Sequence, residues 1–453
     1  MQKNDFQNLR ASLIKQAVPA KKRVLHVGAQ DFELLRALEP SEAHAITTSK
    51  TEGKAPTNCK VHEVKDLHKH GLKKIEVDYI IIDMQADYEK DVQELFKSLK
   101  TFSHPRTRLI ITAQNSIYQP IFKICQKNPK KTPNWLSSSD ITNLLEIAGW
   151  EVITQSCEII CPTKIPGISL LLNRYLGRLP LVQNIGTTQF FHARPRVKAL
   201  TKTKTSCSII LPARNEAGNI KPALQRIKKL GSSTELIIVE GNSTDDTWET
   251  IKREVKAYKG PLKVSYMRQP GKGKWDAVKK GFEAATGDIL VIQDGDLTAP
   301  PEDLPKFFDA VCQGDAEFAN GSRMIYPMES EAMRFLNLIG NKAFALSLSW
   351  ILRQNIKDSL CGTKMMRRQD YLESQELVKE RLGDFDPFGD FNLLFGSAML
   401  GLKIRDIPVR YKDRTYGETN ISRFSHGLIL LKMTWVALHK IRFSKCQKEA
   451  QKQ

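Results

Sequence analysis

Short apolar runs alternate with stretches of helical spacing along most of the chain. Lys22–Val27 reads as a buried strand, followed by Gly28 and a helical run over Phe32–Leu38. A second strand is expected at His44–Thr48. Asp78–Asp83 is a Tyr- and Ile-rich strand that ends in a carboxylate. Tyr88–Leu99 has the spacing of a helix, and Arg108–Thr112 is another buried strand. Ser139 or Asp140 is expected to cap a helix that packs through Leu144, Leu145 and Ile147 and stops at Gly149; a strand begins at Glu151–Thr154. Strands alternating with helices predict a doubly wound α/β sheet, because a parallel strand pair needs a crossover long enough to hold a helix.

The alternation stops and then restarts. Residues 162–204 hold Pro162, Pro166, Pro180 and Pro195 among basic residues, with almost no acids, and read as a linker. From Cys207 new strands are expected at Ser208–Leu211, Glu235–Val239, Lys263–Met267 and Asp288–Ile292. The expected organisation is a Rossmann-like domain over 1–161, the linker over 162–204, a second α/β domain over 205–425, and an amphipathic helix with a basic tail over 426–453.

A chain of 453 residues has room for two such cores. Its 41% hydrophobic and 26% charged content excludes a disordered, collagenous or disulfide-framed class. No run approaches the roughly 20 apolar residues of a membrane span. Phe335–Leu352 is interrupted by Asn341 and Lys342, and Leu428–Val436 by Lys432. The first residues lack an apolar run, so no cleaved signal is expected. The net charge of +19 is spread over both halves, with 29 basic and 19 acidic residues in 1–200 and 40 and 31 in the rest. That excess suits a nucleotide or an anionic membrane surface as partner; no nucleic acid is expected. Eight cysteines without pairing rhythm fit a reduced cytoplasmic compartment.

A glycine loop between a strand and a helix lets a cofactor approach the backbone. In the first half that loop, Val27-Gly28-Ala29-Gln30-Asp31, has one glycine. The order of elements and the Asn134-Trp135-Leu136 stretch resemble class I S-adenosylmethionine-dependent methyltransferases over about residues 20–160. The resemblance implies a cofactor site at Gly28 and Asp83. The loop has lost its other glycines, and Ile46-Thr47-Thr48 lacks the acid that would hold the ribose. The domain is therefore expected to be a vestige that no longer methylates.

The second half places polar groups after four successive strands, where ligands bind in open α/β sheets. Asp294-Gly295-Asp296 carries the clearest chemistry. In an extended segment both carboxylates point one way, and hard oxygens suit Mg²⁺ or Mn²⁺ bridging a diphosphate. The ordered set Leu-Pro-Ala-Arg-Asn-Glu at 211–216, Val-Glu-Gly-Asn-Ser-Thr-Asp-Asp-Thr at 239–247, Gly-Lys-Gly-Lys at 271–274, Asp-Gly-Asp-Leu-Thr-Ala-Pro-Pro at 294–301, Asn-Gly-Ser-Arg at 320–323, Asp-Ser-Leu-Cys-Gly-Thr-Lys at 358–364 and Arg-Thr-Tyr-Gly-Glu-Thr-Asn at 414–420 resembles family 2 glycosyltransferases of the GT-A fold, on the polyprenyl-phosphate mannosyl- or glucosyltransferase branch.

The resemblance implies inverting transfer of a hexose from a nucleoside-diphosphate sugar to an acceptor, a polyprenyl phosphate first. A glycan hydroxyl, or a bifunctional methyltransferase/glycosyltransferase, is the alternative. It implies nucleotide-sugar contacts at Pro212, Ala213, Arg214, Glu216, Glu240, Gly241, Lys272, Lys274, Asp294 and Arg323. Metal ligands would be Asp294, Asp296 and Thr298, and the catalytic groups Asp296, Asp390 and Arg414. Trp275 stands where relatives have glycine, which would hold that loop away from the diphosphate. Asn392 stands where they carry a carboxylate; Asp390 would replace it if the segment is extended and would only cap if it starts a helix. The apolar stripes of 335–352 and 428–442 either pack on the core or lie in a membrane interface, giving a peripheral protein on a cytoplasmic membrane face.

Overall fold

The computed structural model describes residues 3–72, 75–125, 133–163, 165, 167–197, 199–326, 335–383, 386, 389–417 and 423–444. The chain divides into two units, 1–197 with 442–453, and 198–441.

Unit 1 has helices α1 (Lys3–Ala17), α2 (Glu33–Leu38), α3 (Val92–Ser98), α4 (Gln119–Cys125), α5 (Ser138–Ile147) and α6 (Ile168–Arg174). Its strands are β1 (Arg23–Val27), β2 (Glu42–Thr47), β3 (Cys59–Glu63), β4 (Tyr79–Asp83), β5 (Arg108–Gln114), β6 (Trp150–Glu158) and β7 (Thr188–Pro195). They form one sheet in the order β3-β2-β1-β4-β5-β7-β6, parallel except for β7. The central strands are apolar on both faces: Leu25, Ile80 and Ile82 enter one core, Val24, Ile81 and Ile110 the other.

The stretch expected as a linker contains β7, inserted antiparallel between β5 and β6. Its prolines stand outside the strand or at its last position, Pro195. Two of its four arginines find acids on β6, Arg194 on Glu151 at 2.7 Å and Arg178 near Glu158 at 3.7 Å. A scarcity of acids within the segment therefore signalled pairing across the sheet rather than solvent. The helix expected from Tyr88 begins only at Val92, because the Asp91 carboxylate accepts from Glu94 N–H and caps it there. The cap of α5 is Ser137, with Asp140 returning the bond to the Ser137 N–H.

Unit 2 has helices α7 (Ala217–Arg226), α8 (Thr247–Ala257), α9 (Lys274–Ala284), α10 (Leu304–Gln313), α11 (Phe335–Leu352), α12 (Arg368–Arg381), α13 (Asp390–Met399) and α14 (Arg423–Ala437). Its strands are β8 (Cys207–Ala213), β9 (Thr234–Glu240), β10 (Lys263–Arg268), β11 (Ile289–Ile292), β12 (Phe318–Ser322), β13 (Lys364–Arg367) and β14 (Ile404–Pro408). The sheet order is β10-β9-β8-β11-β13-β12-β14, with β13 antiparallel to β11 and β12. Both units are thus mixed α/β sheets with a core on each face, as the element alternation implied.

α11 and α14 divide their apolar residues between core and solvent. Ala345, Leu348, Leu352, Met433 and Ala437 are buried in the core. Leu346, Leu428, Leu431 and Trp435 are exposed. Among the described residues no helix is long and apolar enough to cross a membrane. Arg442, expected in a basic tail, is buried in unit 1, where its guanidinium donates to Arg178 O at 2.8 Å and Gln183 Oε1 at 2.9 Å. Residues 445–453 lie outside the described residues.

Candidate active site

β8, β9 and β11 of unit 2 run parallel, so their loops leave from one edge of the sheet. Ala213 pairs with Glu240, and Gly241 N–H continues the ladder to Ala213 O at 2.8 Å. The first two loops are stitched together: Asn215 N–H donates to Ser243 Oγ at 3.0 Å, Thr244 N–H to Asn215 Oδ1 at 2.8 Å, and Glu216 N–H to Thr247 Oγ1 at 2.9 Å. Pro212 is half-buried and Arg214 is exposed at their rim.

Asp294-Gly295-Asp296 is a turn rather than an extension of β11. Leu297 N–H bonds back to Asp294 O at 3.2 Å, and Leu297 takes a left-handed φ of 55°. The tight packing also fixes Gly295: a Cβ there would lie 2.6 Å from Pro212 O, so alanine would not be free of cost.

The two carboxylates take separate cations. Asp294 meets the Lys274 ammonium, from the first residue of α9, at 2.7 Å. Asp296 accepts from the Arg414 guanidinium at 2.7 Å, and from Thr298 N–H and O–H at 3.1 and 2.9 Å. Arg414 also donates to Glu216 at 3.1 Å, so one guanidinium joins the β8 and β11 loops. Tyr416 lays its ring over Gly218, where a Cβ would come within 2.4 Å of it. Of the Arg414–Asn420 motif, residues 418–420 lie outside the described residues.

Asp390 completes the cluster. It starts α13, yet it does not cap it: Asp386 Oδ2 accepts from Phe391 and Asn392 N–H at 2.9 Å each. Asp390 instead faces Lys364 Nζ at 3.8 Å and Lys274 Nζ at 4.0 Å, and its buried Oδ1 has no hydrogen bond. Trp275 is buried and stacks where a Cβ on Gly389 would come within 2.0 Å of its ring. It therefore braces the start of α13 from inside, and Lys274 still reaches Asp294. Residues 385, 387 and 388 lie outside the described residues.

Four carboxylates, Asp294, Asp296, Glu216 and Asp390, thus share three cations, Lys274, Lys364 and Arg414. Burial works against charge at Asp294, but Lys274, with Lys364 and Arg323 nearby, holds it below the usual carboxylate range. Burial and the Asp294 charge push Asp296 up against the pull of Arg414. Burial likewise raises Glu216 and Asp390, the latter against both lysines. Lys274 stays firmly protonated: burial opposes its charge, and Asp294 and Asp390 overcome that.

Other expected contacts lie elsewhere or are already engaged. Arg323 forms a bidentate pair with buried Asp358 at 2.7 and 2.8 Å. Burial opposes that carboxylate, but Arg323 pulls it down to about 2. Glu240 is buried, accepts from Ser243 N–H and lies 3.3 Å from Arg268. Lys272 is exposed. Sequence reasoning passed over Lys364, which is buried and donates to Asn320 Oδ1 at 3.0 Å and Cys361 O at 2.7 Å. It also passed over Gly362, where a Cβ would strike Asp294 at 2.1 Å. Both stand in the Asp358–Lys364 motif, which was their only signal.

In unit 1 the strand edge is filled from within. Gly28 has φ +74°, and the Gln85 side chain lies against it, 2.2 Å from an ideal Cβ. Asp83 is held by Arg10 at 2.8 and 3.1 Å and by Thr112. Burial opposes the charge of Asp83, but Arg10 keeps it below the ordinary range.

Residues 208–374 match the sequence family described as Glycosyl transferase family 2. A dolichol-phosphate mannosyltransferase of Pyrococcus furiosus is 31% identical over 220 residues, 47% of this chain and 58% of the relative. A dolichyl-phosphate hexose transferase of Haloferax volcanii is 28% identical over 226 residues, 49% of this chain and 88% of the relative. The chain spans 58% of the length of the Pyrococcus relative, and 36% and 51% of two further glycosyltransferases of Haloferax volcanii. Among solved structures, glucosyl-3-phosphoglycerate synthase of Mycobacterium tuberculosis with Mn²⁺ and uridine diphosphate is 20% identical, covering 54% of this chain and 82% of that one, with a TM-score of 0.39. A structure of the Haloferax volcanii Trm112 methyltransferase activator with a candidate methyltransferase is 11% identical, covering 43% of this chain and 92% of that one, with a TM-score of 0.33. On the sequence match, the second unit of this chain is a family 2 glycosyltransferase domain.

Proposed function

We propose that unit 2 transfers a hexose from a nucleoside-diphosphate sugar to a polyprenyl phosphate. The observation that supports this most is the pairing of Asp294 and Asp296 with cations from two other loops, Lys274 and Arg414. The donor set fits Mg²⁺ or Mn²⁺: hard carboxylate oxygens at Asp294 and Asp296, with the Thr298 hydroxyl beside them, and an ammonium and a guanidinium already drawn to that charge. When bound, such an ion offsets the charge that develops on the departing diphosphate.

The chain's own residues do the rest. Arg414 and Lys274 exchange a carboxylate for diphosphate oxygens as the donor enters, the guanidinium favouring two oxygens at once. Pro212, Ala213, Arg214, Glu216, Glu240 and Gly241 line the edge where the nucleoside lies. A phosphate acceptor is already anionic and needs no base; Lys364 and Lys274 beside Asp390 give it a positive wall. The relatives named for dolichol phosphate support that acceptor. The exposed leucines of α11 and α14 support contact with the membrane that holds it.

A second reading rests on Asp390. A buried carboxylate with raised proton affinity and one oxygen free of hydrogen bonds has the profile of a general base for a glycan hydroxyl. One experiment separates the two: sugar nucleotides are offered with polyprenyl phosphates and with oligosaccharides, Mn²⁺ present, for wild type and Asp390→Asn. Lipid-linked product, with Asp390→Asn losing less than about tenfold, supports the first reading. Product on the oligosaccharide alone, with a loss on the order of 10²–10⁴-fold, supports the second. Absence of product with every donor would defeat both.

A further inference from the structure

Between Ile165 and Ile185, unit 1 turns a concentrated set of aliphatic side chains outward. Ile168 is 53% exposed, Leu171 60% and Leu181 95%, with Leu170, Leu176 and Ile185 also exposed. This backbone is pinned. The Asn173 carboxamide bonds both Cys161 N–H and Cys161 O at 2.8 Å. Ser169 O–H bonds Ile165 O at 2.8 Å, and Arg178 is buried against Glu158. The fold therefore fixes the segment while leaving its largest apolar groups in water, which is unfavourable unless something covers them.

Charge says what would cover them. From Ile159 to Asn215 the sequence has no acidic residue, and Arg174 stands within the patch, half-buried. The chain as a whole carries +19. Aliphatic tips on a stretch that carries no acid of its own, with the neighbouring Glu158 buried against Arg178, match the boundary between anionic headgroups and acyl chains. We propose that residues 167–185 of unit 1 dock on an anionic bilayer, with Leu171 and Leu181 entering its apolar boundary. The choice of a bilayer rests on the lipid-phosphate reading above, but the residues belong to the other unit and take no part in transfer.

The test uses the full chain and vesicles of phosphatidylcholine with phosphatidylglycerol at low salt. Wild type, Leu171→Asp with Leu181→Asp, and Leu171→Ala with Leu181→Ala are compared by sedimentation, light scattering and thermal unfolding. Wild type should sediment. The alanine pair should weaken partitioning by at least about tenfold and the aspartate pair by at least about a hundredfold, as expected when two leucines are only partly buried at the interface, with the thermal transition unchanged. The alanine pair keeps the test valid should the aspartates unfold the unit. Wild type remaining in the supernatant, or variants binding as tightly as wild type, overturns the proposal. So does a wild-type dimer that the aspartates convert to monomer, which would make the face a contact between copies. Transfer to polyprenyl phosphate dispersed in detergent needs no docking. Its absence alongside intact vesicle binding would sink the lipid-phosphate reading and leave the docking surface standing.

Discussion

The two units carry carboxylates at the same kind of place, the ends of parallel strands, and do different things with them. In unit 1, Asp83 at the end of β4 is locked by Arg10 and Thr112, and carbon atoms of Gln85 fill the approach to Gly28. In unit 2, Asp294 and Asp296 are paired to Lys274 and Arg414, which come from other loops. The unit 2 pairs are partly open to solvent, so a metal and a phosphate can replace them charge for charge, whereas the Arg10–Asp83 pair is more enclosed. A packed side chain cannot be exchanged without opening a cavity. A doubly wound sheet therefore does not make a site; what closes its strand ends does.

The largest expected effect breaks the exchangeable side. Asp294→Ala or Asp296→Ala should lower hexose transfer by roughly 10³-fold or more, since each removes a hard ligand worth several kcal/mol in the transition state. Initial rates at limiting Mn²⁺ read this; near-normal activity in either variant would refute the metal assignment.

Next in size is the pair that is not exchangeable. Arg323→Ala leaves buried Asp358 without its partner and should cost about 3–5 kcal/mol. Calorimetry should show the loss even with no sugar nucleotide present. A variant that unfolds like wild type but fails to bind donor would instead make Arg323 a phosphate contact.

A third prediction concerns Asp87 in unit 1, buried with Oδ1 unbonded. Burial raises its carboxyl from 3.8 to about 7. The folded state thus holds a proton that the unfolded chain releases. The resulting stability is complete below about pH 4 and is lost as pH rises through about 7, for a total of about 4 kcal/mol at most. Asp87→Asn should flatten the thermal stability of unit 1 between those limits; an unchanged slope would assign it to another group.

The smallest expected signal sharpens the closed side. The full chain should show no binding of S-adenosylmethionine at micromolar concentrations by calorimetry, and Gln85→Ala should restore little, because Arg10 still holds Asp83. Low-micromolar binding by wild type would show that Gln85 moves aside.

The α/β alternation was legible because buried parallel strands read as short apolar runs between helical segments. Most of the chemistry-bearing positions were legible because they end those strands or follow closely, as Glu240 ends β9 and Glu216 and Asp294 follow β8 and β11. What failed was what pairs with what. β7 was hidden in a proline-containing basic stretch, since an antiparallel insertion is specified by acids on β6 far away in sequence. Arg323 read as a nucleotide-sugar contact, and the sequence did not show its partner Asp358, 35 residues away. Asp390 read as either base or cap because the actual cap, Asp386, lies four residues before it.

Local sequence by itself determined two α/β units and a carboxylate pair suited to a metal and a diphosphate. The tertiary structure alone decided which of those charges are tied. Ion pairing acts through distances of about 3 Å, which chain separation does not predict. It also decided that Gly28 lies under Gln85 and that Lys364 joins Asp390, since burial and desolvation depend on everything the fold brings around a group.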